Sequence, residues 1–220
     1  MIRPSDASIQ KQVIDELSWD TRVRETDIGV EVREGIVTLN GTVDSWAGRA
    51  AADEAAHRVA GVLDVANEIK VKLPGADLRD DADIARAVRH TLDWDVLVPA
   101  DRIRTSVTRG VVTLEGTVDH WNEYEDAAKA VRNLKGVVEV HNLITVSPPE
   151  LSSHVVRAAI DQALARHAAH ASKHVTIAIE EDKVILSGKV PSWAEHAAIE
   201  GAVRGTRGVR KVDNRLLIHA

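Results

Sequence analysis

Apolar positions along this chain follow two rhythms that alternate. Ile9, Val13 and Leu17 stand four apart, as do Ile84, Val88 and Leu92, and again Val156, Ile160 and Leu164. Side chains at this spacing share one helical face, so each set predicts a helix with a single buried stripe. Strict alternation follows each stripe, at Ile28, Val30 and Val32, at Ile103, Thr105 and Val107, and at Val175, Ile177 and Ile179. A period of two predicts a strand with one buried face. The pairs Glu34-Gly35 and Arg109-Gly110 then lead into a second β-branched run, which predicts a hairpin. A second helix is expected to begin near a Trp, with Ser192 and Glu195 at capping-box spacing in the last case. Its stripe runs through Ala127, Val131 and Leu134, and through Ile199 and Val203. Gly61, Gly136 and Gly208 are expected to end this helix as left-handed caps, ahead of a closing strand.

The rhythm is a repeat. A shift of 75 residues lays Gly35 to Asp44 (GIVTLNGTVD) on Gly110 to Asp119 (GVVTLEGTVD), and a further 72 brings in Asp182 to Pro191 (DKVILSGKVP). Trp46, Trp121 and Trp193 fall in register, as do Gly61-Val62, Gly136-Val137 and Gly208-Val209, and the closing Asn67, Asn142 and Asn214. Each unit therefore reads α-β-β-α-β. A strand–helix–strand connection within one sheet makes the second and third strands parallel. The expected fold is α+β: three tandem modules, each a mixed three-stranded sheet with two helices on one face. The expected modules are 5–73, 80–147 and 150–220, separated by Pro74-Gly75 and Pro148-Pro149. Units this small lie near the lower size limit for folding alone, which predicts packing between them.

Gly-Val-Val-Thr-Leu-Glu-Gly-Thr-Val-Asp (Gly110 to Asp119), then Trp, then an Ala-containing helix ending Gly-Val before Val-x-Asn-x-Ile, resembles the BON domain. This family is named for bacterial osmotically inducible and nodulation-related proteins. The third unit departs from the pattern, with Pro191 in place of the Asp and Arg166 where the others have Trp19 and Trp94. The resemblance implies a non-enzymatic, stress-associated scaffold whose modules bind phospholipid surfaces or partner proteins. It also implies an alternative, a cytoplasmic ligand or potassium sensor, since a relative with one such domain binds potassium; a third, purely structural reading is a homo-oligomer built by repeat-to-repeat packing between acidic and basic units.

Composition narrows the chemistry. The chain lacks Cys, which removes disulfides and thiolate chemistry, and it holds five Trp, one Tyr and no Phe. No apolar run is long enough to span a bilayer and no secretory leader is visible. A cytoplasmic protein is therefore expected as the sequence stands, and a periplasmic one if an export signal has been removed. No nucleophile elbow, GxGxxG, P-loop or HExxH occurs, so no catalytic residue and no cofactor is expected. His167, His170 and His174 would share a face and could hold a metal if the first helix of the third unit ran on through them. Trp46, Trp121 and Trp193 are expected to cap the hairpins of their own units. Trp19 and Trp94, each followed by Asp, either fold their rings onto the adjacent loop or stand partly exposed, as would suit a membrane interface or a protein contact. The three Asn are expected to bond nearby backbone, at the C-terminal end of the second helix. Net charge falls unevenly, at −5 over residues 1–77, −3 over 78–149 and +2 over 150–220. The basic excess gathers at Arg204, Arg207, Arg210, Lys211 and Arg215, which could meet anionic headgroups or acidic units of another molecule. Nucleic acid is not expected, because the chain as a whole is acidic.

Overall fold

A computed structural model describes residues 4–148, 153–167, 175–180 and 183–218. Its elements repeat as the periodicity requires. The first module comprises α1 (Asp6–Trp19), β1 (Ile28–Arg33), β2 (Ile36–Val43), α2 (Trp46–Arg58) and a last strand in two pieces, β3 (Asp64–Asn67) and β4 (Lys70–Val71). The second comprises α3 (Asp81–Trp94), β5 (Ile103–Thr108), β6 (Val111–Val118), α4 (Trp121–Arg132) and β7 (Glu139–Val146). The third comprises α5 (Ser153–His167), β8 (Val175–Glu180), β9 (Lys183–Val190), α6 (Trp193–Arg204) and β10 (Lys211–Ile218).

In every sheet the middle strand pairs antiparallel with the first and parallel with the last. The hairpins turn on two residues with positive φ, Glu34 (52°) and Gly35 (77°), and again Arg109 (52°) and Gly110 (76°). That backbone matches the twist of the flanking strands. The first residue of the first helix holds the turn in place. The Asp6 carboxylate accepts from the Glu34 and Gly35 N–H groups at 2.8 and 3.0 Å, and Asp81 accepts from Arg109 and Gly110 at 2.8 and 2.9 Å. Helix starts are capped by side-chain oxygens: Ser5, Ser45, Asp80 and Ser192 accept from the N–H three residues on.

Each module keeps its own core on the helix side of its sheet. Ile9, Val13 and Leu17 meet Val37 and Leu39 in the first, Ile84, Val88 and Leu92 meet Val112 and Leu114 in the second, and Val156 and Ile160 meet Val184 and Leu186 in the third. The second helix of module 1 buries Ala51, Ala52, Ala55 and Ala56, so it lies close to the sheet. Gly61, Gly136 and Gly208 do have positive φ (90°, 91° and 90°), but the helices end earlier, at Arg58, Arg132 and Arg204. These glycines shape the turn into the last strand.

The register shared by the first two hairpins depends on Gly41 and Gly116, which pair with Ile28 and Ile103. A Cβ on Gly116 (φ 149°) would stand 2.1 Å from the Arg102 carbonyl oxygen, whereas one on Gly75 would meet nothing within 4 Å. Gly116→Ala is therefore expected to destabilise module 2 by about 2 kcal/mol or more, and Gly75→Ala to be near neutral. Urea unfolding of the two variants against the parent checks this; equal midpoints would contradict it.

Candidate binding surface and the joints between modules

The Trp residues divide into two groups by their place in the module. Trp19 and Trp94 end the first helices of modules 1 and 2 and are 83% and 79% exposed. The Asp that follows each explains this. Asp20 accepts from the Arg22 N–H at 3.1 Å and Asp95 from the Leu97 N–H at 3.0 Å, so each closes an Asx turn that folds the chain away and leaves the indole outside. Val96 and Leu97 extend the apolar tip of module 2, at 96% and 58% exposed. Trp94 stacks on His90 with ring centroids 5.3 Å apart. An apolar tip this exposed is unusual on a folded domain and marks a contact surface.

Trp46, Trp121 and Trp193 do not stay on their own hairpins. Trp46 packs against the core of module 2, Trp121 against that of module 3 as well as its own, and Trp193 against that of module 1. Each begins a second helix, which aims it outward at the neighbour. Module 1 thus enters module 2, module 2 enters module 3, and module 3 returns to module 1. The joints are closed by charge as well. Arg204 lies 4.7 Å over the Trp121 ring, and Arg132 reaches Glu54 of module 1 at 3.3 Å. Glu54 also pairs with Arg22 at 3.1 Å, and Arg22 grips Asp20 at 2.8 Å. His57 meets the Trp193 ring edge-on at 4.7 Å.

These contacts redistribute the expected basic surface. Arg204 is spent on Trp121 and on an ion pair with Glu200. Arg215 bonds Asp213 at 2.7 Å, and Lys183 reaches the same carboxylate at 2.8 Å. The hydrogen bonds from Arg215 and then Lys183 hold the Asp213 carboxyl at about 2. Arg210 is half-buried, while Arg207 and Lys211 are exposed. The five residues are close in sequence but do not form one open basic patch.

The three Asn sit half-buried on the last strands and bond the second helix, though near its beginning and middle. Asn67 donates to the Arg49 carbonyl at 3.2 Å and Asn142 to that of Tyr124 at 2.7 Å; Asn214 donates to the Glu200 carboxylate at 2.9 Å. Each Oδ1 accepts from the N–H two residues on, in Ile69, Ile144 and Leu216. Their work is to tie strand to helix. Of the histidines weighed for a metal, His167 is the last residue of α5, and His170 and His174 lie outside the described residues. Among the described residues no three His, Cys, Asp or Glu side chains converge as metal ligands. No described helix is long and apolar enough to cross a membrane.

A repeated module with an exposed helix tip and cross-module Trp joints defines a multi-module α+β repeat protein. The chain belongs to the BON domain family, whose profile matches residues 5–72, 80–148 and 152–220. It is similar to osmotically-inducible protein Y of Escherichia coli (strain K12), 29% identical over 145 residues that cover 62% of this chain and 70% of that protein. Among solved structures, it aligns with CdsD, a structural protein of the type III secretion system of Chlamydia trachomatis, at 12% identity, 95% and 91% coverage and a TM-score of 0.26. The PrgH periplasmic domain aligns at 10% identity, 94% and 100% coverage and a TM-score of 0.23. Scores this low bear on neither arrangement nor function.

Asp20 joins the exposed tip to the first joint, and its titration reports on both. The Arg22 hydrogen bond, against some cost of burial, holds its carboxyl at about 2. A depressed value stabilises the fold above the unfolded carboxylate pKa of about 3.9 and stops doing so as pH falls through the folded value. Asp20→Asn keeps an acceptor for the turn but lacks the charge. It is expected to melt lower than the parent at pH 7, with the gap closing between about pH 4 and about pH 2. Thermal unfolding across that range checks it; a gap independent of pH would contradict the assignment.

Proposed function

We propose that the protein is a non-enzymatic, stress-associated scaffold that docks its modules on anionic phospholipid surfaces. The single observation that carries this reading is the exposure of Trp19 and Trp94 at equivalent helix ends. An indole has an apolar body and one N–H donor, so it suits the boundary between acyl chains and headgroups. Val96 and Leu97 deepen the apolar tip of module 2, and exposed Arg207 and Lys211 supply attraction to anionic headgroups. The osmotic induction named for the Escherichia coli relative supports association with osmotic stress. A few interfacial rings give weaker, more reversible anchoring than a spanning helix. A partner protein with an apolar groove is the other occupant such a tip would fit.

Flotation of the full chain with anionic and with neutral vesicles tests this. Binding to the anionic vesicles is expected, with a loss of at least about tenfold in the Trp19→Ala/Trp94→Ala double variant, which should fold normally because both rings are exposed. Absence of the parent from both vesicle types would remove the lipid reading.

A further inference from the structure

The three joints share one knob but differ in what meets it. The shifts that align Trp46, Trp121 and Trp193 also align Arg132, Arg204 and His57, all in the last turn of a second helix. At two joints the position holds a guanidinium, which keeps its charge at every physiological pH. At the joint that returns module 3 to module 1 it holds an imidazole, which does not. The His57 ring lies 4.7 Å from Trp193 at 80°, and His196 of α6 lies 4.7 Å from the same indole at 60°. Trp193 therefore sits against two imidazoles carried by the two modules it joins.

The charged surroundings of the pair come from three elements. On α2, the Asp53 carboxylate lies 3.3 Å from His57 Nδ1, which is also 3.0 Å from the Asp53 carbonyl oxygen. Arg49 of the same helix acts on Asp53, and Asp64 of β3 adds negative charge toward His57. On α6, Glu200 stands 3.9 Å from His196 Nδ1, but it also pairs with Arg204 and accepts from Asn214. His57 thus has a close anion of its own, and His196 shares one with two other donors.

We propose that the joint between modules 3 and 1 is a proton-gated closure that loosens in acid, when His196, across the shared indole from a charged His57, takes up a proton. The other two joints hold throughout, so loosening frees Trp193 from module 1 without dispersing the modules. The titrations run in the directions this requires. Burial opposes charge on His57, but the hydrogen bond and charge of Asp53 outweigh it and raise its pKa above the ordinary 6.5. Asp53 and Asp64 belong to module 1, as His57 does, so this raised value persists when the joint opens and leaves His57 a charge that faces the joint. Burial lowers the pKa of His196, with Glu200 pulling it up and His57 pushing it down. A lowered value contributes stability above about 6.5 that is lost as pH falls through the folded value. Closure therefore weakens as pH falls below about 6.5, and its constant falls by up to about tenfold for each pH unit by which closing moves the His196 titration.

The lack of native Cys allows a direct test on the full chain. A donor–acceptor pair on Lys11→Cys and Gln162→Cys, both exposed sites, spans modules 1 and 3; a second pair on Lys11→Cys and Ser106→Cys spans modules 1 and 2. From about pH 8.5 to about pH 5 the first pair is expected to stay close at neutral and alkaline pH and to separate below about pH 6.5, while the second stays constant. His196→Gln should abolish the acid separation. A first-pair distance that does not change with pH in the parent protein, or a His196→Gln profile that matches the parent's, overturns the proposal.

Discussion

The architecture rests on an indole leaving its own module to complete the core of the next. A unit of about seventy residues buries too little apolar surface to be comfortably stable. Its cores here are almost wholly aliphatic, since the chain has no Phe. A Trp moved into contact with a neighbour takes on the order of 100–200 Å² from water, worth about 2.5–5 kcal/mol at 25 cal/mol/Å². That is comparable to the whole margin of a small domain. The position of the Trp at the start of the second helix is what makes the exchange possible. It is anchored in the first turn of the helix and lies within reach of the neighbouring module's core.

Much of the fold was legible because it depends on local periodicity. Ile9, Val13 and Leu17 could only share a helix face, and Val30 and Val32 could only share a strand face. The repeat then supplied the topology three times over. Side chains whose partners lie in another module were not legible. Nothing in the residues around Trp121 shows that Arg204 will cover it, and nothing around Glu54 shows that Arg132 will reach it. How the basic run from Arg204 to Arg215 divides was not legible for the same reason: closeness in sequence says little once one Arg faces a joint and another a carboxylate two residues away. The exposure of Trp19 and Trp94 was legible in part, because the Asp after each is a turn residue whose side chain bonds backbone two residues on.

The modules are three versions of one plan. Modules 1 and 2 are acidic and carry an exposed Trp, with module 2 adding Val96 and Leu97 beside it. Module 3 is basic, has Arg166 at the equivalent position, and spends much of its positive charge internally. Duplication evidently preserved the knob and its helix while the helix tips diverged. Contact with the outside and contact between modules are thus served by different ends of the two helices, so one can change without the other.

The returning Trp193 also says something about how the chain acquires its structure. Two of the joints link modules adjacent in sequence, so each can form as soon as its second member has been synthesised. The third links the last module to the first and must close a loop that spans nearly the whole chain. Loop closure of that length is entropically costly, and contacts of large sequence separation form slowly. The molecule should therefore pass through an open row of folded modules before it becomes a closed set, with the socket of module 1 waiting for the final helix to be made.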